Sequence, residues 1–126
     1  MKSRKIMVID NDPAISELLK VNLAARGHEV IAYTNGKDAL NDVFEVKPNL
    51  VILDVVLPEI DGWEILKIIK DHSHGADIKV MLLTARNSMR DKLIGRVILK
   101  ADAYVTKPFD LNELLSIIGK LLEDKK

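Results

Sequence analysis

Strand-like and helix-like segments alternate five times along this 126-residue chain, and that order narrows the fold more than any single motif. Strand character falls at Lys5 to Ile9, Glu29 to Tyr33, Leu50 to Asp54, Lys79 to Thr84 and Ala103 to Thr106. The third run is apolar from Leu50 to Leu53 and lies between Pro48 and Pro58, as a strand buried on both faces does. Asp12 is placed to cap a first helix with Pro13 in its first turn and Ile15, Leu18, Leu19 and Leu23 on the buried stripe, and Gly27 ends it. Asn35-Gly36 turns into a second helix that reaches Val46. Asp61 and Glu64 have capping-box spacing and open a third, which bears Ile65, Leu66, Ile68 and Ile69. Ser88 with Asp91 begins a fourth, and Asp110 with Glu113 caps a last one carrying Leu111, Leu114, Leu115, Ile118, Leu121 and Leu122. Strict β-α alternation predicts an α/β fold: a parallel sheet with right-handed crossovers and helices on both faces.

The length suits one domain, residues 1–126, and apolar residues make up 48 % of it, enough for a sizeable core. No linker, repeat or low-complexity tract interrupts the chain. Net charge is zero, which argues against a general nucleic-acid or anionic-membrane surface. Without cysteine there is no disulfide framework, zinc cluster or thiol chemistry. No apolar run is long enough to span a bilayer. The basic start Met1-Lys2-Ser3-Arg4-Lys5 leads into a strand rather than a signal-peptide core. A soluble cytoplasmic protein with a natural start at Met1 and no effector domain is expected. Lys120 to Lys126 is polar enough to fray.

Chemistry concentrates at three strand ends. The first strand ends in Asp10-Asn11-Asp12, the third in Asp54, and the fifth in Lys107-Pro108. Ligands of open α/β sheets sit at the carboxyl ends of the strands. An acid cluster, a lone acid and a lone lysine there suit a divalent cation and a phosphoryl group. Asp12 is read as the helix cap and Asp10 as free for the site. Taken singly, Thr84 reads as structural, Tyr104 as a packed aromatic, Trp63 as packing at the start of the third helix, and His28, His72 and His74 as turn residues without partners.

Asp10-Asn11-Asp12, Val51-Ile52-Leu53-Asp54 with Pro58 and Asp61-Gly62, Thr84-Ala85, and Tyr104-Val105-Thr106-Lys107-Pro108-Phe109 together resemble the receiver domains of two-component response regulators. The resemblance covers essentially the whole chain. It implies a flavodoxin-like three-layer sandwich whose five-stranded sheet has the order 2-1-3-4-5. It implies that Asp54 accepts a phosphoryl group from a sensor histidine kinase or phosphotransfer protein. By the same resemblance Asp10, Asn11, Asp54 and the backbone carbonyl of Val56 hold Mg²⁺, and Lys107 pairs with the phosphoryl oxygens. Thr84 donates its hydroxyl to that group, Tyr104 changes rotamer with Thr84, and a cis peptide precedes Pro108. Such a chain is a self-catalysed phosphoacceptor rather than a turnover enzyme. Its output is binding to a downstream protein target, as a monomer or a weak phosphorylation-dependent dimer, with no direct contact to nucleic acid or membrane.

The chain departs from that family's pattern in places. Asn11 stands where a second acid is usual, which predicts weaker Mg²⁺ binding and a resting state biased toward the active form. One extra residue lies between Thr84 and Tyr104, and Leu99-Lys100-Ala101-Asp102 lacks the usual glycine. Leu93, Ile94, Val97, Ile98 and Ala101 keep helical spacing, which predicts that the fourth helix either runs longer or ends without the left-handed glycine cap. The family's output face is formed by this helix and the fifth strand. The dimer-pairing arginines of the winged-helix class are missing from Ser116-Ile117-Ile118-Gly119-Lys120, and Ile117 is expected to be exposed. Val56 and Arg86, two residues beyond Asp54 and Thr84, predict slow self-hydrolysis because neither orients a water as a base does.

Two other functions compete. A pseudo-receiver would bind partners without phosphorylation, and Asn11 gives that weight. A haloacid-dehalogenase-like phosphatase would use Asp10 and Asp12, but Ala14 stands where that family needs Thr or Val, and the chain is short for a cap.

Overall fold

A computed structural model of the protein describes residues 4–75 and 77–123, so the fraying expected at residues 124–126 lies outside the described residues. The strands are β1 Lys5–Ile9, β2 Glu29–Tyr33, β3 Leu50–Leu53, β4 Lys79–Thr84 and β5 Ala103–Thr106. They form one parallel sheet in the order β2-β1-β3-β4-β5. The helices are α1 Pro13–Ala24, α2 Gly36–Val46, α3 Gly62–Asp71, α4 Met89–Leu93 and α5 Leu111–Leu121. This is the flavodoxin-like sandwich expected.

Successive strand residues face opposite sides. Met7, Ile9, Val51, Leu53, Val80 and Leu82 pack with Ala39 and Val43 of α2 and Ile65, Leu66 and Ile69 of α3. Ile6, Val8, Leu50, Ile52, Met81 and Leu83 pack with Leu19 and Leu23 of α1 and Leu114, Leu115 and Ile118 of α5. Both faces of the central strands are therefore covered, which is why β3 reads as an unbroken apolar run. Each α-helix opens on a side-chain cap: Asp12, Asn35, Asp61, Ser88 and Asp110 accept from backbone N–H groups of their first turns. Gly27 follows α1 at φ 87°, a left-handed turn that favours glycine.

Lys70 of α3 fastens the opposite end of the sheet. Its ammonium donates to the Ile78 carbonyl at 2.9 Å and to Asp102 Oδ2 at 2.7 Å, and that oxygen also accepts from Val80 N at 2.8 Å.

Several expectations need correction. Leu18 lies off the α1 stripe and is exposed, because Ser16, Leu19 and Leu23 form the buried line. The fourth helix is not continuous. After five α-helical residues it becomes a π turn, Ile94–Ile98, with Leu99 N donating to Ile94 O at 2.8 Å. A π turn takes up one residue more than an α turn, which accommodates the extra residue counted in the sequence. Leu93, Val97 and Ile98 are mostly exposed rather than packed. The end without a glycine cap is as expected, and the left-handed position is taken by Lys100, at φ 61°. Ile117 is half-buried and packs against the α1–α5 core, because it borders the stripe formed by Leu114 and Ile118. All three histidines have partners, and the His74 ring lies 5.2 Å from that of His72. His28 Nδ1 accepts from Arg4 N at 3.1 Å, and His72 stacks on Phe44 with ring centroids 3.8 Å apart. Trp63 packs against the α2–α3 core, as read from the sequence.

Candidate functional site

Sheet register builds the site. Ile9 lies opposite Leu53 in the β1–β3 pairing, so the next residues, Asp10 and Asp54, leave the sheet side by side. Asp54 N still donates to Ile9 O at 3.0 Å. The two carboxylates are 2 % and 8 % exposed, and burial on that scale demands partners. Each spends one oxygen on its own loop: Asp10 Oδ1 accepts from Asp12 N and Asp54 Oδ1 from Val56 N, both at 2.9 Å. The other oxygens, both Oδ2, accept from Lys107 Nζ at 2.8 Å each.

Lys107 reaches them from the end of β5. Thr84 pairs with Thr106 across β4 and β5, and Lys107 N donates to Thr84 O at 2.9 Å. The Lys107–Pro108 peptide is cis, as the resemblance implied. Two carboxylates around one ammonium leave net negative charge. Burial pushes the Asp10 carboxyl above the usual carboxylate range despite Lys107. Burial also works to lower the Lys107 pKa, but the hydrogen bonds to Asp10 and Asp54 outweigh it and raise the pKa, so the lysine stays charged.

Thr84 is fully buried at the tip of β4, and its Oγ1 accepts a long bond, 3.4 Å, from Arg86 N. The half-buried Tyr104 donates its hydroxyl to Arg86 O at 2.6 Å. Arg86 therefore links Thr84 to Tyr104 through its backbone. Its guanidinium lies toward Asp91 instead, Nε to Oδ1 3.5 Å.

Asp10, Asp54 and Lys107 are in direct contact, and Thr84 borders them. Asn11 is exposed on the rim and makes no side-chain hydrogen bond among the described residues, while Val56 is 56 % exposed. The carboxylates of Asp10 and Asp54, the Asn11 amide oxygen and a loop carbonyl offer hard oxygen donors. Among the described residues no group of three or more His, Cys, Asp or Glu is placed to hold a metal. A donor set this sparse suits an ion that keeps several of its waters, as Mg²⁺ does.

Two glycines matter that the sequence did not single out for the site. At Gly62 a Cβ would fall on Val55 Cα and the Asp54 carbonyl, so the Asp54 loop lies directly against the first turn of α3. The Asp61-Gly62 pair after Pro58 is the sequence signal for it: the pair opens α3 and also belongs to the motif set of the family resemblance. At Gly95 a Cβ would meet the Tyr104 ring and Leu82. No local pattern marks that contact.

The parallel α/β sheet thus carries two buried carboxylates and a lysine at its carboxyl edge, an arrangement consistent with a receiver domain. The model of the response regulator receiver domain matches residues 6–119, and the chain belongs to that family. It is 37 % identical over 118 residues to the DNA-binding dual master transcriptional regulator RpaA of Synechocystis sp., covering 94 % of this chain and 48 % of that protein. The chain thus spans about half the length of this curated relative. Response regulator TrrA of Thermotoga maritima, solved in complex with Mg²⁺-BeF, is 39 % identical with a TM-score of 0.82, over 94 % of this chain and 99 % of that one. Chemotaxis protein CheY4 of Vibrio cholerae is 25 % identical with a TM-score of 0.87, over 96 % of this chain and all, 100 %, of that one. No helix among the described residues is long and apolar enough to cross a membrane.

Proposed function

We propose that residues 4–123 work as one phosphorylation-dependent switch in a two-component phosphorelay, with Asp54 as the phosphoacceptor. A carboxylate oxygen of Asp54 attacks the phosphorus of a phosphohistidine on a sensor histidine kinase or phosphotransfer protein. The N–P bond breaks, its electron pair stays on the imidazole nitrogen, and an acyl phosphate forms. Mg²⁺, when held by Asp10, Asn11, Asp54 and the Val56 carbonyl, supplies neutralising charge for the phosphoryl oxygens. Lys107 turns from the carboxylates to the phosphoryl oxygens. Thr84 then donates its hydroxyl to the new group, and Tyr104 follows through the Arg86 backbone, biasing an existing two-state equilibrium.

The contact that supports this reading most is Lys107 Nζ at 2.8 Å from both Asp10 and Asp54. It supplies a cation that is already placed where negative charge arrives. Each event at Asp54 is a single transfer, so the protein is a signalling phosphoacceptor and not a turnover enzyme. Its output is contact with a protein target in the cytoplasm, and the zero net charge speaks against direct nucleic-acid binding by this chain.

The test is incubation with acetyl phosphate and Mg²⁺, followed by intact mass beside Asp54→Ala. One phosphoryl group gained by the parent and absent from the variant supports the reading. No adduct at any Mg²⁺ concentration would favour the pseudo-receiver, a reading that rests on the uncharged, exposed Asn11.

A further inference from the structure

Arg4, just ahead of β1, ties the start of β2 to the end of α5 at the amino-terminal edge of the sheet. Its N–H donates to His28 Nδ1 at 3.1 Å, its carbonyl accepts from Glu29 N at 2.9 Å, and its guanidinium Nη2 donates to the Leu122 carbonyl at 3.0 Å. Leu122 is the C-cap of α5. The last carbonyls of a helix lack partners within it and carry the negative end of its dipole, so a guanidinium there both caps and attracts. Leu121 and Leu122 are partly buried against the α1–α5 core, and with Arg4 and Glu123 they line a cavity of about 130 Å³. The end of α5 is therefore held by a residue whose own backbone is held by a histidine.

The bond to His28 depends on protonation. Nδ1 accepts only while it carries no proton, so the neutral imidazole, with its hydrogen on Nε2, is the form that holds Arg4. A proton on Nδ1 would set N–H against N–H. Burial first, then the charges of Arg4 and of Arg26 in the turn after α1, disfavour that proton. Glu29 follows His28 in β2, and Glu123 of α5, Asp77 before β4 and Lys79 at its start line the Arg4 cavity. We propose that His28, Arg4 and Leu122 form an acid-sensitive latch on the last turn of α5. At neutral pH His28 holds the Arg4 backbone and Arg4 caps Leu122. As pH falls below the ordinary histidine range, His28 takes up a proton, the Arg4 backbone draws away, and the guanidinium leaves the Leu122 carbonyl. The last turn of α5 then frays, and Leu121 and Leu122 come into water at the cavity. Asp54 lies at the other edge of the sheet, so phosphoryl transfer is not needed for the latch to open.

The test follows the ring and backbone nitrogen resonances of the whole chain from about pH 7.5 to about pH 5, across the histidine range. At the upper end the His28 ring should report an unprotonated Nδ1. The amide signals of Arg4, Leu122 and Glu123 should then move with the His28 midpoint. The Leu122 order parameter should drop from about 0.85 to below about 0.6, while the signals of Leu50 to Leu53 in β3 stay in place. His28→Gln should abolish the transition at Leu122 although His72 and His74 still titrate. Arg4→Gln should leave His28 titrating but uncouple Leu122 from it. A proton on Nδ1 at neutral pH, a Leu122 signal that ignores the His28 midpoint, a Leu122 transition that survives in either variant, or loss of the β3 signals together with those of α5 would each overturn the proposal.

Discussion

Lys107 Nζ lies 2.8 Å from Asp54 Oδ2 although β4 separates their strands in the sheet. The lysine spans the tip of a whole strand and goes on to Asp10, two strands further from β5 than β4 is. One ammonium thus ties an edge strand to the two central ones.

Replacing it exposes what it balances. Lys107→Ala leaves two buried carboxylates without their shared cation, and it should cost about 3 kcal/mol at neutral pH. Asp10 already has a raised pKa, so the deficit should shrink as pH falls through the carboxylate range and protons replace the ammonium. Urea unfolding of parent and variant near neutrality and at about pH 4 checks this. A deficit that is the same at both would mean the loss is one of packing.

Asn11 is an uncharged side chain on the rim of the site, where the family resemblance implies a second acid. Asn11→Asp adds a third carboxylate to the rim beside Asp10, and Mg²⁺ should bind about tenfold more tightly. Calorimetric titration measures it, and an unchanged affinity would place Asn11 outside the cation's reach.

Gly62 tests the loop behind Asp54. Gly62→Ala forces a methyl group against the Val55 backbone and the Asp54 carbonyl, neither of which has a flexible end to yield. A loss of about 2 kcal/mol is expected, together with slower phosphoryl uptake. Full stability with unchanged uptake would show that the loop has room to retreat.

His28 gives the chain a pH dependence. Burial, followed by the charges of Arg4 and Arg26, lowers its pKa below 6.5, and its Nδ1 accepts a backbone hydrogen bond. The folded form therefore resists a proton that the unfolded chain takes up. This contribution is complete above pH 6.5 and is lost progressively as pH falls below it. Unfolding midpoints across that range should fall in the parent and flatten in His28→Gln.

If Asp54 carries a phosphoryl group as proposed, its lifetime should be set by the residues two beyond Asp54 and Thr84. Val56 has no group to orient water, and the Arg86 guanidinium lies toward Asp91. Self-hydrolysis should be slow, with a half-life of many minutes or longer in purified phosphoprotein. Decay within seconds, read by intact mass, would contradict this.

The ends of β1 and β3 were legible because those buried apolar runs stop on Asp10 and Asp54, and a charge is costly inside a strand buried on both faces. Lys107 was legible as the lone lysine that follows the shorter run of β5. The caps at Asp12, Asp61, Ser88 and Asp110 were legible because capping is a local bond. The π turn was not, because the spacing of Leu93, Ile94, Val97 and Ile98 does not say where a register breaks. His72 on Phe44 and Gly95 under Tyr104 are contacts between distant segments, and single-sequence periodicity carries no record of them.

The Lys70 clasp, read together with the lysine at the other end, bears on how motion travels. β5 is held at its entry by Asp102 on Lys70 and at its exit by Lys107 on two carboxylates. An edge strand anchored at both ends behaves like a bridge deck fixed on two piers. It transmits load without shifting its footing. On the proposed switch reading, a change at the site would then be carried by side chains on the span, Tyr104 foremost, while the sheet stays whole.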